Sequence, residues 1–184
     1  MQWRNSPHTY GLTSIVLHWL VAVAVFGLFG LGLWMVGLDY YSSWYRTAPD
    51  LHKSIGLTLF VLMLLRVLWR FLSPAPQALP SHDARTRLAS KAGHLLLYVG
   101  LFALMLSGYL ISTADGRGIA VFGLFEVPAT LTSLPDQEDL AGVVHEYLAW
   151  GLVIFAGLHA LAALKHHFID RDATLVRMFG RTQR

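Results

Sequence analysis

Nine histidines and no cysteine set the chemistry open to this 184-residue chain. Without thiols, there can be no disulfide, iron–sulfur cluster, thiolate-ligated haem or covalent c-type haem, so a redox cofactor must be held by histidine, methionine or carboxylate. Four histidines, His18, His52, His145 and His159, lie in or at the edges of long apolar stretches. A histidine inside a membrane span is costly and by default marks function, whereas one at the interface is simply solvated. His145 and His159 are 14 residues apart, close to four helical turns and about 21 Å of rise, which puts both on one helix face at two depths. Followed across a membrane, the depths match as His18 with His159 and His52 with His145. Two sites of two histidines are too sparse for tetrahedral zinc. Two axial nitrogens suit a haem iron, and such ligation leaves no open iron position, so electron transfer is expected rather than oxygen activation at the metal.

Arg66 follows His52 by 14 residues, sharing its helix face at the depth of the His18/His159 site. It is a candidate to pair a haem propionate; the competing reading is a side chain snorkelling to the nearby interface, which Arg70 suits better. Gly32 lies 14 residues after His18 and Gly56 one helical turn after His52, so each leaves room for a porphyrin or else serves as a helix-packing contact. His94 opens the third apolar stretch and is read as a group near the His18/His159 haem, with a spare ligand, a proton-transfer group and an interfacial residue as its alternatives. His166 and His167, beside Lys165, read as a solvated pair or as propionate contacts. His8 and His82 read as surface residues.

The elements that must position these groups are four apolar spans, approximately 14–37, 54–72, 92–112 and 142–164, each long enough for the roughly 30 Å hydrocarbon core. With 55% hydrophobic and 14% charged residues and a mean hydropathy of +0.50, the chain is too apolar for a soluble domain of this size. The expected fold is all-α, an up-down four-helix membrane bundle forming a single domain over residues 1–184. The first span is longer than a signal-peptide core and no small-residue cleavage pattern follows it, so it reads as a retained helix. Two connectors, Ser73 to Lys91 and Thr113 to Ala141, are polar and punctuated by proline and glycine. The apolar piece Ile119 to Phe125 is too short to span and is expected to rest on the membrane surface. Trp34, Tyr40, Tyr41, Trp44, Tyr45 and Trp69 cluster at span ends as an interfacial belt.

The net charge of +3 and pI of 9.4 do not signal nucleic-acid binding, because the basic residues flank apolar runs and read as topology signals. Arg4, Arg70, Arg85, Arg87, Lys91, Lys165, Arg171, Arg177, Arg181 and Arg184 fall on one side, against Arg46, Lys53 and Arg117 on the other. That asymmetry places both termini in the cytoplasm. The opposite side carries eight acids: Asp39, Asp50, Asp115, Glu126, Asp136, Glu138, Asp139 and Glu146.

Several motifs run almost end to end: His18-Trp19, Leu51-His52-Lys53-Ser54-Ile55-Gly56, the loop Pro74 to Pro80, and Gly93-His94 leading into Leu95 to Tyr98. The last helix adds His145-Glu146, Gly157-Leu158-His159 and Lys165-His166-His167-Phe168, and the tail runs Asp172 to Met178 as Asp-Ala-Thr-Leu-Val-Arg-Met. In this order they resemble the bacterial cytochrome b561 family of four-helix di-haem cytochromes of the inner membrane. The resemblance implies two non-covalent b haems with His18, His52, His145 and His159 as axial ligands, and electron exchange with membrane ubiquinone. Some relatives oxidise superoxide on the periplasmic side, and others serve as haem subunits of dehydrogenase complexes. A superoxide donor needs a positive approach to the outer haem, for which Lys53, Arg46 and Arg117 are available. Competing expectations are an electron-relay subunit docked by a partner dehydrogenase, and a histidine-lined proton or metal transporter. The transporter lacks the intramembrane Asp and Glu that such pathways usually carry.

Overall fold

A computed structural model describes residues 2–180, so Arg181 and Arg184 of the charge count lie outside the described residues. Four long helices, α1 (Leu12–Met35), α2 (Thr47–Leu72), α3 (Ala84–Thr113) and α4 (Gln137–Phe168), carry the chain. A two-stranded hairpin, β1 (Ile119–Val121) and β2 (Phe125–Val127), interrupts the connector before α4, and α5 (Thr174–Arg177) lies in the tail. The most apolar windows of the four helices have mean hydropathies of 2.2, 2.0, 2.0 and 1.8, yet only 17%, 11%, 11% and 6% of them are buried within the protein. Apolar helices exposed to this extent would be untenable in water. In lipid they satisfy their backbones internally and turn side chains to the hydrocarbon. The all-α, four-span membrane class expected from the sequence is the class observed.

All four helices start earlier than the apolar spans, α1 by two residues and the other three by a turn or more. Thr47 leads α2 with Pro49 and Asp50 in its first turns, where proline costs no hydrogen bond and an acid meets the positive end of the helix dipole. Asp83 caps α3 by accepting the Thr86 amide at 2.8 Å, the arrangement of an N-cap side chain. That turns Ala84 to Lys91, expected as connector, into helix. At α4, Glu138 and Asp139 occupy the first turn and Lys165, His166 and His167 the last, the charge order that favours both ends.

The chain divides into two compact units, and each long helix contributes a segment to both. In the first unit (Met1–Ala22, Leu62–Tyr98 and Ile154–Arg184), Asn5 ties the N-terminal segment to the end of α2. Its side-chain amide donates to the carbonyls of Ser73 and Pro74, at 2.8 and 3.1 Å. Its oxygen accepts the Gly11 amide and the Ser14 hydroxyl, both at 2.8 Å. The tail is fastened to the same unit by Trp19 Nε1–H donating to the Met178 carbonyl at 3.0 Å and by Arg177 donating to the Gln77 carbonyl at 2.9 Å.

The second unit comprises Val23–Val61 and Val99–Val153. Here the short apolar piece Ile119 to Phe125 forms most of an antiparallel hairpin, with Ile119 facing Val127 and Val121 facing Phe125. Its alternation is the cause: Ile119 and Val121 turn inward and are buried, while Phe122, Leu124 and Phe125 point outward. The buried Ser54 hydroxyl anchors it, donating to the Asp50 carbonyl at 2.8 Å and accepting the Phe122 amide at 3.0 Å.

Candidate functional site

Each unit gathers one histidine pair. In the second, His52 comes from α2 and His145 from α4, with ring centres 6.2 Å apart and planes at 70°. His145 Nδ1–H faces the Leu104 carbonyl and the Ser107 hydroxyl oxygen, each at 3.0 Å, and Ser107 itself donates to Leu104 O at 2.8 Å. This fixes the tautomer and leaves the Nε2 lone pair free, the arrangement in which a ligating imidazole is oriented from behind. Two helices approach these rings through glycine. A Cβ at Gly32 would lie 3.4 Å from His52 Cε1, and one at Gly108 would lie 3.0 Å from His145 Cε1. Gly32 was legible by helical spacing, although it attends His52 rather than His18; Gly56 touches neither ring. Gly108 and Ser107 were missed, because only the packing of α3 brings them to His145.

In the first unit, His18 of α1 and His159 of α4 have ring centres 6.4 Å apart with planes at 65°. His94 of α3 joins them, 5.3 Å from His159, with Nδ1–H donating to the Ser90 carbonyl at 2.7 Å. Arg66 does not snorkel away: its Nη2 is 3.1 Å from His18 Nδ1 and its guanidinium lies 5.5 Å from the centre of the Tyr98 ring. All the sequence-derived candidates are thus half-buried side chains inside helices while neighbours such as Leu20, Leu95 and Leu158 face outward.

Two expectations fail. His82 is not a surface residue: only 14% of its side chain is exposed, and its Nε2 lies 2.9 Å from Asp172 Oδ2. Of the two readings of His166, the solvated one fails, with Nδ1 2.7 Å from Asp170 Oδ2 and 3.4 Å from Asp172 Oδ2. His8 is exposed as expected.

Residues 9–181 match the family model of prokaryotic cytochrome b561. The chain belongs to that family. It is 56% identical over 182 residues to cytochrome b561 homolog 2 of Escherichia coli K12, covering 99% of this chain and 97% of the relative. It is 31% identical over 170 residues to the probable superoxide oxidase CybB of Yersinia pestis, covering 92% and 94%. Cytochrome b561 homolog 1 of E. coli K12 is 30% identical over 176 residues, at 94% and 97% coverage. A prokaryotic membrane protein of electron transport that binds haem b is therefore established, and the histidine geometry suits that cofactor. Metal–nitrogen bonds of about 2.0 Å on each side of one ion set two imidazole ring centres about 6.3 Å apart. Both pairs fall within a fraction of an ångström of that spacing.

Proposed function

We propose that the chain is a single di-haem domain, with one b haem held by His52 and His145 and the other by His18 and His159. It would pass electrons from a periplasmic donor, superoxide in the leading reading, to ubiquinone. The observation that carries this is the pair of ring-centre distances, 6.2 and 6.4 Å, in two separate clusters of a haem-binding family. When bound, b haems with two imidazole ligands supply one-electron carriers without an open coordination position.

The chain's residues hold and tune those carriers. Leu104 O and Ser107 orient His145 from behind. Gly32 and Gly108 let α1 and α3 come up against the imidazoles. Arg66 is a donor-only group, so against His18 Nδ1 it fixes the proton on Nε2. For His18 to ligate through Nε2, Arg66 gives up that contact, and a haem propionate is the anionic acceptor it suits. His94 sits beside His159 as a polar group available for proton exchange at that haem.

Both termini are placed in the cytoplasm of a cell whose inner membrane the protein spans, following the basic-residue asymmetry. His52 and His145 then lie toward the periplasmic ends of their helices. Of the bases on that side, Lys53 is paired with Asp50 at 2.8 Å and Arg117 with Asp115, which offsets part of the attraction they exert on an anionic donor. Stopped-flow mixing of the haem-loaded protein with superoxide, followed by a ubiquinone analogue, tests this reading. Rapid haem reduction and quinone-dependent reoxidation are expected. Haems indifferent to superoxide would instead favour a relay subunit with no substrate of its own, and a soluble dehydrogenase retained through purification would identify its partner.

A further inference from the structure

Outside both histidine pairs, the first unit holds a third cluster for which the proposed electron transfer has no use. His82 comes from the connector between α2 and α3, His166 from the last turn of α4, and Asp172 from the tail. One ligand atom from each lies within 4.8 Å of the others. His82 Nε2 to Asp172 Oδ2 measures 2.9 Å and His166 Nδ1 to Asp172 Oδ2 3.4 Å. Ligand atoms around tetrahedral zinc, each about 2.0 Å from the ion, stand roughly 3.3 Å from one another, so the two measured separations bracket that edge.

Ordinary ion pairing leaves part of this cluster unexplained. His166 Nδ1 is buried and approaches two carboxylates, yet its direction is wrong for a hydrogen bond to either. The Asp172 carboxylate is buried, with only 8% of its side chain exposed. Burial works against its ionisation, but hydrogen bonds from Thr174 and His82 outweigh that and hold its pKa below the usual carboxylate range. Its other oxygen accepts the Thr174 amide at 2.8 Å, which leaves Oδ2 aimed at the imidazoles. Asp170, paired with Lys165 at 2.7 Å, and Asp172 make the cluster a poor receiver for a haem propionate, because carboxylates repel one another.

We propose that His82, His166 and Asp172 form a binding site for a zinc-like divalent transition metal that clamps the C-terminal tail to the α2–α3 connector and the end of α4. Two imidazoles and one carboxylate are a borderline-soft set that suits zinc and disfavours calcium and magnesium, which take oxygen ligands. Water completes the fourth position. The α2–α3 connector and the tail, 90 residues apart at His82 and Asp172, are drawn together at this point, so the ion acts on the tail whose Met178 carbonyl accepts the Trp19 indole N–H next to His18.

The test uses tag-free, haem-loaded protein titrated with Zn2+ against a chromophoric chelator, with haem absorbance as the control for folding. One tight zinc per chain is expected, weakened at least about 100-fold in His82→Gln and in Asp172→Asn, given that even outer-shell changes cost 10–100-fold. His8→Ala should be unchanged. Zinc-edge X-ray absorption of the wild type should give two imidazole nitrogens and oxygen at about 2.0 Å, which keeps the proposal testable should a variant fail to fold. No tight zinc, equal affinity in the three variants, or a coordination shell lacking two imidazoles would overturn it.

Discussion

At the scale of single residues, the account turns on atoms that position imidazoles. Gly108 leaves so little room that a Cβ there would press on His145 Cε1 at 3.0 Å, whereas at Gly32 the nearest atom, His52 Cε1, is at 3.4 Å. Gly108→Val should therefore strip most of the haem proposed for His52 and His145, at an overpacking cost of about 1–3 kcal/mol. Gly32→Ala should be tolerated, and haem content of the purified variants separates the two. Arg66→Ala removes a cation from beside His18 and should lower the potential of one haem only. The shift corresponds to about 1–2 kcal/mol for a charge roughly 10 Å away at an effective dielectric of 20. Arg66→Lys should restore much of it in a redox titration, which distinguishes an electrostatic role from a packing one. The four proposed ligands and Arg66 were legible because a polar side chain in an apolar run stands out and helical spacing fixes its face. Ser107 and Gly108 were not, since small residues in membrane helices carry no signal until a neighbouring helix is seen against them.

Among the elements, hydropathy marked where the chain is in lipid rather than where it is helical. The extra turns 47–53, 84–91 and 137–141 are too polar for hydropathy to mark, and their caps and dipole charges, such as Asp83 and the acids Glu138 and Asp139, were the signal for them. The hairpin was missed because alternation over three residues is too short to separate from an interfacial run. Its hold on α2 is testable: Ser54→Ala loses the acceptor for the Phe122 amide and should cost about 1–2 kcal/mol, with faster amide exchange confined to residues 119–127. The tail makes a pH prediction. Asp172 has a folded pKa below its ordinary value, so its contribution is present above the unfolded pKa of about 3.9 and is lost as pH falls through the lower folded value. Fluorescence of Trp19, which donates to Met178, should change in that acidic window, and Asp172→Asn should abolish the dependence. His82 could not be placed from sequence because its partner lies 90 residues away.

For the molecule as a whole, lipid rather than a large apolar core supports the fold, which is why long helices with few buried side chains remain consistent with one another. The basic asymmetry predicts that a reporter fused after the tail is active only in the cytoplasm. A periplasmic signal would invert the proposed donor and acceptor sides. The central claim is that two imidazole pairs hold two haems, and a pyridine haemochrome assay with a reduced-minus-oxidised spectrum measures it directly. Two b haems per wild-type chain, falling to one in His145→Ala with the other's spectrum intact, is the predicted result. A single haem in the wild type, or two retained by His145→Ala, would contradict it.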